Sequence, residues 1–367
     1  MSFYCATLLF SSSEMKTRGG EFMTVRTLVV GGTGPTGVHI VNFLISAGHD
    51  VTVFNSGKHD AGIAFAGQVE RIYGNPRDEE NVRDSIATRE WDVAICTYGK
   101  LTMLARELAG KTKRLVGITG QPVYKGAARQ TPDGGLPLPV REFALRQYDA
   151  ANYTGRVALG EDQLFAQHGA GDFEAVILRY PGIYGPRAPI NHEWAVIKRV
   201  IDQRPFMLMP HDGMSYFQRG YSENVAWLVF LAATRPEAAG NAFNAGDEQV
   251  LSAHRVAEII VEELNSSMKL IGIPAEFCRD IYPLAEKAPL ILDMSKAREL
   301  LGYRDLVNAE EATRITARWY LKNPIGSDFD MNTVIPAAGS FNYDEEDQLL
   351  ALWQRVTDGI RSELKST

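Results

Sequence analysis

The chain has little cysteine, no long uncharged apolar run and no block of basic residues, and each shortage removes a class of protein. Three cysteines in 367 residues, Cys5, Cys96 and Cys278, show neither disulfide nor metal-ligand spacing. No metal site is expected, and a reducing cytoplasm is the simplest setting. No later stretch approaches the length of a membrane span, so no membrane partner is expected. The apolar run at residues 3–10 superficially suggests a signal peptide. It is short, however, and its basic residues follow it instead of preceding it; residues 1–22 read as an overlong start or a loose tail. A formal net charge of −7 without a basic run argues against nucleic acid as a partner. With 45% apolar residues the chain can bury a large core, in one large domain or two smaller ones.

One segment then stands out. Thr27-Leu-Val-Val is an apolar strand that runs into Gly31-Gly-Thr33-Gly34-Pro35-Thr36-Gly37 and on into an apolar helical stretch at 38–45. Gly48-His49-Asp50 stops that helix and a β-branched strand follows at 51–54, which completes a βαβ unit. Strand, glycine turn and helix in this order suit a dinucleotide pyrophosphate. Glycine permits the sharp turn and close approach of backbone N–H groups, and the helix N-terminus adds partial positive charge. Gly31, Thr33, Gly34, Pro35, Thr36 and Gly37 are the cofactor-binding candidates here.

Strands are expected at 27–30, 51–54, 70–73, 93–97, 114–119 and 175–179 with helices between them, a pattern that calls for a parallel sheet covered on both faces. The fold class is α/β: a Rossmann doubly wound sheet with a smaller C-terminal substrate-binding lobe. After the tail, residues 23–180 form the nucleotide domain, with 219–246 returning to it. Residues 181–218 and 247–323 form the lobe. Residues 324–367 are an extension in which 344–353 read as an acidic-capped amphipathic helix.

Several further segments share one resemblance: Gly31-x-x-Gly34-x-x-Gly37, Arg114-Leu-Val-Gly-Ile-Thr-Gly-Gln-Pro-Val-Tyr124, Tyr153 with Glu161 eight residues on, Leu178-Arg-Tyr-Pro-Gly-Ile-Tyr-Gly-Pro186 and Gly220-Tyr-Ser-Glu-Asn-Val-Ala226. Together with Asp293-Met-Ser-Lys296 and Leu300-Leu-Gly-Tyr303, they resemble the extended, NAD(P)-dependent epimerase/dehydratase form of the short-chain dehydrogenase/reductase superfamily, from about residue 23 to 324. The resemblance implies a cytoplasmic oxidoreductase, isomerase or lyase that uses NADP or NAD on a small-molecule substrate, and it suggests a homodimer. It places Tyr153 as catalytic acid/base and puts Tyr180, Pro181 and Ile183 in the loop over the nicotinamide. It puts Tyr124 against substrate.

Two positions depart from that pattern. The lysine expected one helical turn after Tyr153 is Val157, and the expected hydroxyl position is Gly120. Thr119 and Arg156 are the nearest substitutes, although one residue is about 100° around a helix and arginine does not release its proton. At the end of the second strand, where a carboxylate would hold the adenosine ribose and repel a 2′-phosphate, the chain has Asn55-Ser56-Gly57-Lys58. NADP(H) is therefore expected ahead of NAD(H). Asn75 and Asp78 fall where adenine is flanked, or serve as turn formers. In the lobe, His192, Trp194 and Arg219 are substrate-binding candidates. Phe206, Met207, Met209, Met214 and Phe217 make the lobe apolar, which suggests a small or medium organic carbonyl or alcohol before a sugar nucleotide. The alternative reading is an NAD(P)-binding regulatory or sensor protein with a degraded active site.

Overall fold

The computed structural model describes residues 24–58, 60, 62–126, 136–188, 192–278, 281–282, 284–285, 289–325 and 341–366. Its strands are β1 (Arg26–Val30), β2 (Asp50–Asn55), β3 (Glu70–Tyr73), β4 (Trp91–Cys96), β5 (Thr112–Gly120), β6 (Glu174–Tyr180), β7 (Gly182–Tyr184), β8 (Phe206–Pro210), β9 (Arg219–Tyr221), β10 (Asn241–Asn244) and β11 (Lys269–Ile273). The helices are α1 (Pro35–Ser46), α2 (Glu79–Ser85), α3 (Leu101–Glu107), α4 (Tyr153–Ala170), α5 (Trp194–Ile201), α6 (Ser222–Thr234), α7 (Ala253–Glu263), α8 (Ala275–Cys278), α9 (Ser295–Leu301), α10 (Ala309–Lys322) and α11 (Tyr343–Ser366). Among the described residues no helix is long and apolar enough to cross a membrane.

Seven strands form a parallel sheet in the order β10-β6-β5-β4-β1-β2-β3. The chain winds outward from β1 in both directions, which is the doubly wound Rossmann arrangement. Alternation along the strands divides the core. Val29, Val51, Val53 and Ile95 face α1 and α6, while Leu28, Val30, Phe54 and Ala94 face α2 and α3. Each such side chain is almost fully buried, a gain of about 1.5–3 kcal/mol per large aliphatic or aromatic residue.

A second core gathers α5, α7, α10 and the parallel pair β8 and β11. Trp194, Ile197, Met207, Met209, Val256, Ile260 and Tyr320 fill it. The short pair β7 and β9 lies in its own two-stranded sheet. The packing departs from the expected extent of the lobe: Leu290, Leu292, Met294, Ala297, Leu301 and Tyr303 join the first core, against the sheet, and not the second. Their apolar side chains follow α9, which packs on α6 and β10. The expected helix at 344–353 is the first part of α11, which seats Glu346 on the fully buried Arg199 of α5.

Candidate active site

Parallel register brings the ends of the central strands level. Val30 lies opposite both Phe54 and Cys96, and Gly120 lies opposite Tyr180. The glycine turn leaves β1 at that level. Gly31 has φ +97°, and a Cβ on it would stand 2.6 Å from Thr97 Oγ1 and 2.7 Å from Tyr98 Cβ. A Cβ on Gly37 would stand 2.7 Å from the carbonyl carbon of Gly32. Only glycine fits either position.

Gly34 caps α1 without a side-chain hydrogen bond, Pro35 opens the helix, and no acidic residue enters the first turn. Space is open around Gly34, while Thr33 and Thr36 are buried beside it. Helix α1 thus starts with no side-chain cap and no acidic residue in its first turn, a fit for the pyrophosphate of a dinucleotide.

A cavity of about 380 Å³ opens beyond β4, β5 and β6. Tyr153, Thr154 and Val157 line it from α4, Thr119 and Gly120 from β5, Tyr180 and Pro181 from the end of β6, and Tyr98 and Arg77 from the opposite wall. Tyr153 is the first residue of α4 and 72% exposed. Asn152 fixes this start, its side-chain oxygen accepting from the Gly155 N–H at 2.7 Å. Val157, one turn on, shares the face of Tyr153 and packs against the core. The structure therefore collects Tyr153, Val157, Thr119, Gly120, Tyr180 and Pro181 around one space. Ile183 lies on β7, packed against the first core, and does not line this cavity.

Thr119 is constrained. Its hydroxyl donates to Glu161 Oε1 at 2.8 Å, so its proton is held by the protein. Glu161 is fully buried and also accepts from Arg179 Nη2 at 2.6 Å and Arg146 Nη1 at 3.1 Å. Arg179 in turn donates to the Glu142 carbonyl and to Tyr124 Oη.

Four expected roles are corrected. Arg156 turns back along the chain, its guanidinium donating to the Ala150 and Ala151 carbonyls, so it is engaged by the backbone just ahead of Tyr153. Tyr124 is 1% exposed, donates to Asn244 and has its phenol pushed by burial up to about 12; it is a core residue. Trp194 is a core residue of the lobe, packed near Tyr320 at 6.4 Å between ring centroids. Arg219 is buried against Glu193 and lies 4.3 Å over the Tyr184 ring, so its charge is already neutralised. His192 is buried as well.

At the end of β2, Ser56 and Lys58 are exposed. Asn55 is buried and its amide donates to Thr33 Oγ1 at 3.2 Å and to Asp60 Oδ1 at 2.8 Å. Asn75 and Asp78 act in turn formation: Asn75 Oδ1 accepts from the Arg77 N–H, and Asp78 caps α2 by accepting from the Asn81 N–H at 2.9 Å.

Sequence reading missed Arg77, Tyr98 and Asp60. The position of Tyr98 just past β4, level with the glycine turn, was a usable signal. The Arg77 guanidinium stacks 4.8 Å from the Tyr98 ring centroid, and nothing local in the sequence announces that pair.

Cys96 ends β4 on the cavity wall, and burial pushes its thiol up to about 12. At pH 8 its thiolate is scarce, so iodoacetamide is expected to alkylate it at least roughly a thousandfold more slowly in the native protein than in urea. Mass spectrometry of quenched samples reads this rate. Rapid native labelling of Cys96 would mean that the wall opens.

A parallel doubly wound sheet with a glycine turn at β1 and a tyrosine-bearing helix over the strand ends defines a dinucleotide-binding α/β protein. The sequence model of the NAD dependent epimerase/dehydratase family matches residues 27–104, in agreement with the resemblance. A UDP-N-acetyl-alpha-D-glucosaminuronate decarboxylase of Bacillus cytotoxicus is 25% identical over 333 residues, covering 81% of this chain and 98% of the relative. A putative UDP-glucose 4-epimerase of Methanocaldococcus jannaschii is 24% identical, with coverages of 81% and 98%. Among solved structures, an epimerase of Methanothermobacter thermautotrophicus superposes with a TM-score of 0.66 at 19% identity, covering 82% of this chain and 93% of the other. The UDP-glucuronic acid 4-epimerase of Bacillus cereus, in complex with UDP-glucuronic acid and NAD, gives 0.62 at 17% identity, with coverages of 82% and 100%. These likenesses establish the fold.

Proposed function

We propose that the protein is an NAD(P)-dependent enzyme that moves hydride to and from an alcohol or carbonyl carbon of a small molecule, with Tyr153 as the proton donor and acceptor. The carrying observation is the cavity itself: Tyr153, Thr119, Gly120, Val157, Tyr180 and Pro181 converge beyond the strand ends, where ligands of open α/β sheets bind. Gly31, Thr33, Gly34, Pro35, Thr36 and Gly37 would hold the pyrophosphate, and Tyr180 and Pro181 would border the nicotinamide. When bound, NAD(P) supplies the hydride acceptor or donor. Tyr153 would take the alcohol proton as hydride leaves or return it as hydride comes back, the return being to the same carbon's other face in an epimerisation or following a bond cleavage elsewhere.

The sequence argument for an apolar substrate loses its support, because Trp194, Met207 and Met209 are spent on the lobe's own core. The names of the two curated relatives make nucleotide sugars the first class to test. The test incubates the protein with NAD⁺ or NADP⁺ and a panel of UDP-sugars and carbonyl compounds, and follows products by NMR. Conversion that depends on Tyr153 supports the proposal. A second reading, a dinucleotide-binding sensor, draws on Val157 and Gly120, where the lysine and the hydroxyl are missing, and on Arg156, whose guanidinium is bonded to the Ala150 and Ala151 carbonyls. Tight dinucleotide binding without conversion of any compound would favour it.

A further inference from the structure

The last helix carries a row of apolar side chains that its own chain leaves uncovered. The first part of α11 is clamped to the lobe: Leu349, Leu350 and Trp353 pack against the second core, and Glu346 closes on Arg199. Beyond Trp353 the helix runs on to Ser366, and between residues 354 and 365 every side chain but Thr357 is exposed. Leu352, Val356, Ile360 and Leu364 follow one another at every fourth position and are 53%, 53%, 55% and 72% exposed. Residues four apart share a helix face, so the four form one row. Phe277 of α8, 54% exposed with its ring centroid 6.5 Å from that of Trp353, continues the row onto the lobe.

This stretch has poor helix formers: Val356, Thr357 and Ile360 are β-branched, and Gly359 sits among them. Packing, not propensity, must therefore stabilise it. A contiguous exposed apolar surface of this kind marks a docking face. The polar positions decide what docks. From 354 to 365 the charges are Arg355, Asp358, Arg361, Glu363 and Lys365, of both signs in alternation, whereas a helix that lies on a membrane carries mainly basic residues opposite its apolar face. The row is also nearly its own mirror. Reversed about its middle, leucine 352 meets leucine 364 and valine 356 meets isoleucine 360. On its flank Arg355, Gly359 and Glu363 form a second row at the same spacing. Reversal sets its arginine beside its glutamate, and its glycine against itself at the crossing, where the absence of a side chain lets two helices approach. Self-complementarity under reversal is what a two-fold axis requires.

We propose that α11 pairs antiparallel with α11 of a second copy of this chain, the row of Leu352, Val356, Ile360 and Leu364 packing against the same row of the other. Helix α11 lies beyond residue 324, where the sequence resemblance ends, so this interface belongs to the extension and not to the dinucleotide-binding body. With Trp353 and Phe277 at either end, the pair would cover on the order of 1,000 Å² in total, near the lower bound for a specific contact, so micromolar association is expected.

Sedimentation of the full chain from about 1 to 100 µM, a range that brackets such an affinity, tests this against the double variant Val356→Glu/Ile360→Glu, which alters exposed positions only. The unaltered protein should reach twice the mass of the double variant, whose association should weaken at least about a hundredfold. Dinucleotide titration should not separate the two proteins. Taking the variant's mass as reference removes any association through another face. Oxidising an equal mixture of Leu352→Cys and Leu364→Cys proteins should join one variant to the other, read by peptide mapping. Links within each variant alone, or none at these positions, would overturn the antiparallel pairing. Equal masses for the unaltered protein and the double variant at every concentration would overturn the proposal, whatever else covers the row. If the unaltered protein, at that equal mass, also floats with phosphatidylserine vesicles and the double variant does not, the row serves a membrane surface instead.

Discussion

Replacing Glu161 with alanine is expected to cost on the order of 3–5 kcal/mol, because it leaves a buried arginine without its counter-charge. Glu161 is fully buried and Arg179 is 2% exposed. Arg179 donates to both carboxylate oxygens, Nε to Oε1 at 3.1 Å and Nη2 to Oε2 at 2.6 Å. Arg146 adds a third bond from a more accessible position. Such a pair is weak evidence of net stability when formed, but breaking it from one side is expensive, since the remaining guanidinium has no water to turn to. Urea unfolding should show a midpoint lower by about 1 M or more. As a comparison, Arg361→Ala removes a pair with Asp358 in which both side chains are more than 70% exposed, and the midpoint should stay within error. A small effect of Glu161→Ala would show that Arg179 finds other partners, and the network would then not be what holds Thr119.

That network explains how the sequence can indicate a position without indicating its use. The glycine turn, the positions of the strands and the shared face of Tyr153 and Val157 were legible because they depend on local spacing: a period of two along strands, a period of 3.6 along helices and glycine where only glycine fits. The partner of each charge was not legible. Arg219 and Asp60 have partners set by how separate elements come together, 26 residues away for Arg219 and Glu193, 11 for Arg71 and Asp60. Trp194, Met207 and Met209 illustrate the same limit for apolar residues. An apolar run suits a substrate wall and a core equally well, and only burial separates the two. The segment at 290–303 was given to the lobe because it follows the lobe in sequence, whereas its apolar side chains fit the sheet's outer layer.

Val157→Lys is expected to raise turnover about tenfold or more, and Tyr153→Phe to lower it by roughly 10²–10⁴. Tyr153 and Val157 line the same cavity one helical turn apart, so an ammonium at 157 would enter the space beside the phenol. Opposite charge within about 4–6 Å favours a phenolate, and the lysine stem can cover the apolar surface that Val157 now covers while its head stays in the cavity. Gly120→Ser supplies the other absent group. A Cβ there would stand 3.1 Å from Pro122 Cδ, a contact that requires the proline to give by a few tenths of an ångström. The pair of substitutions should therefore gain more than either alone, since an orienting hydroxyl and a lowered phenol pKa act on the same proton transfer. Dinucleotide affinity, measured by titration, should be unchanged by Tyr153→Phe, which separates loss of chemistry from loss of binding. If Val157→Lys binds cofactor and still shows no gain, the reaction does not use an ammonium at this position, and the sensor reading becomes the stronger of the two.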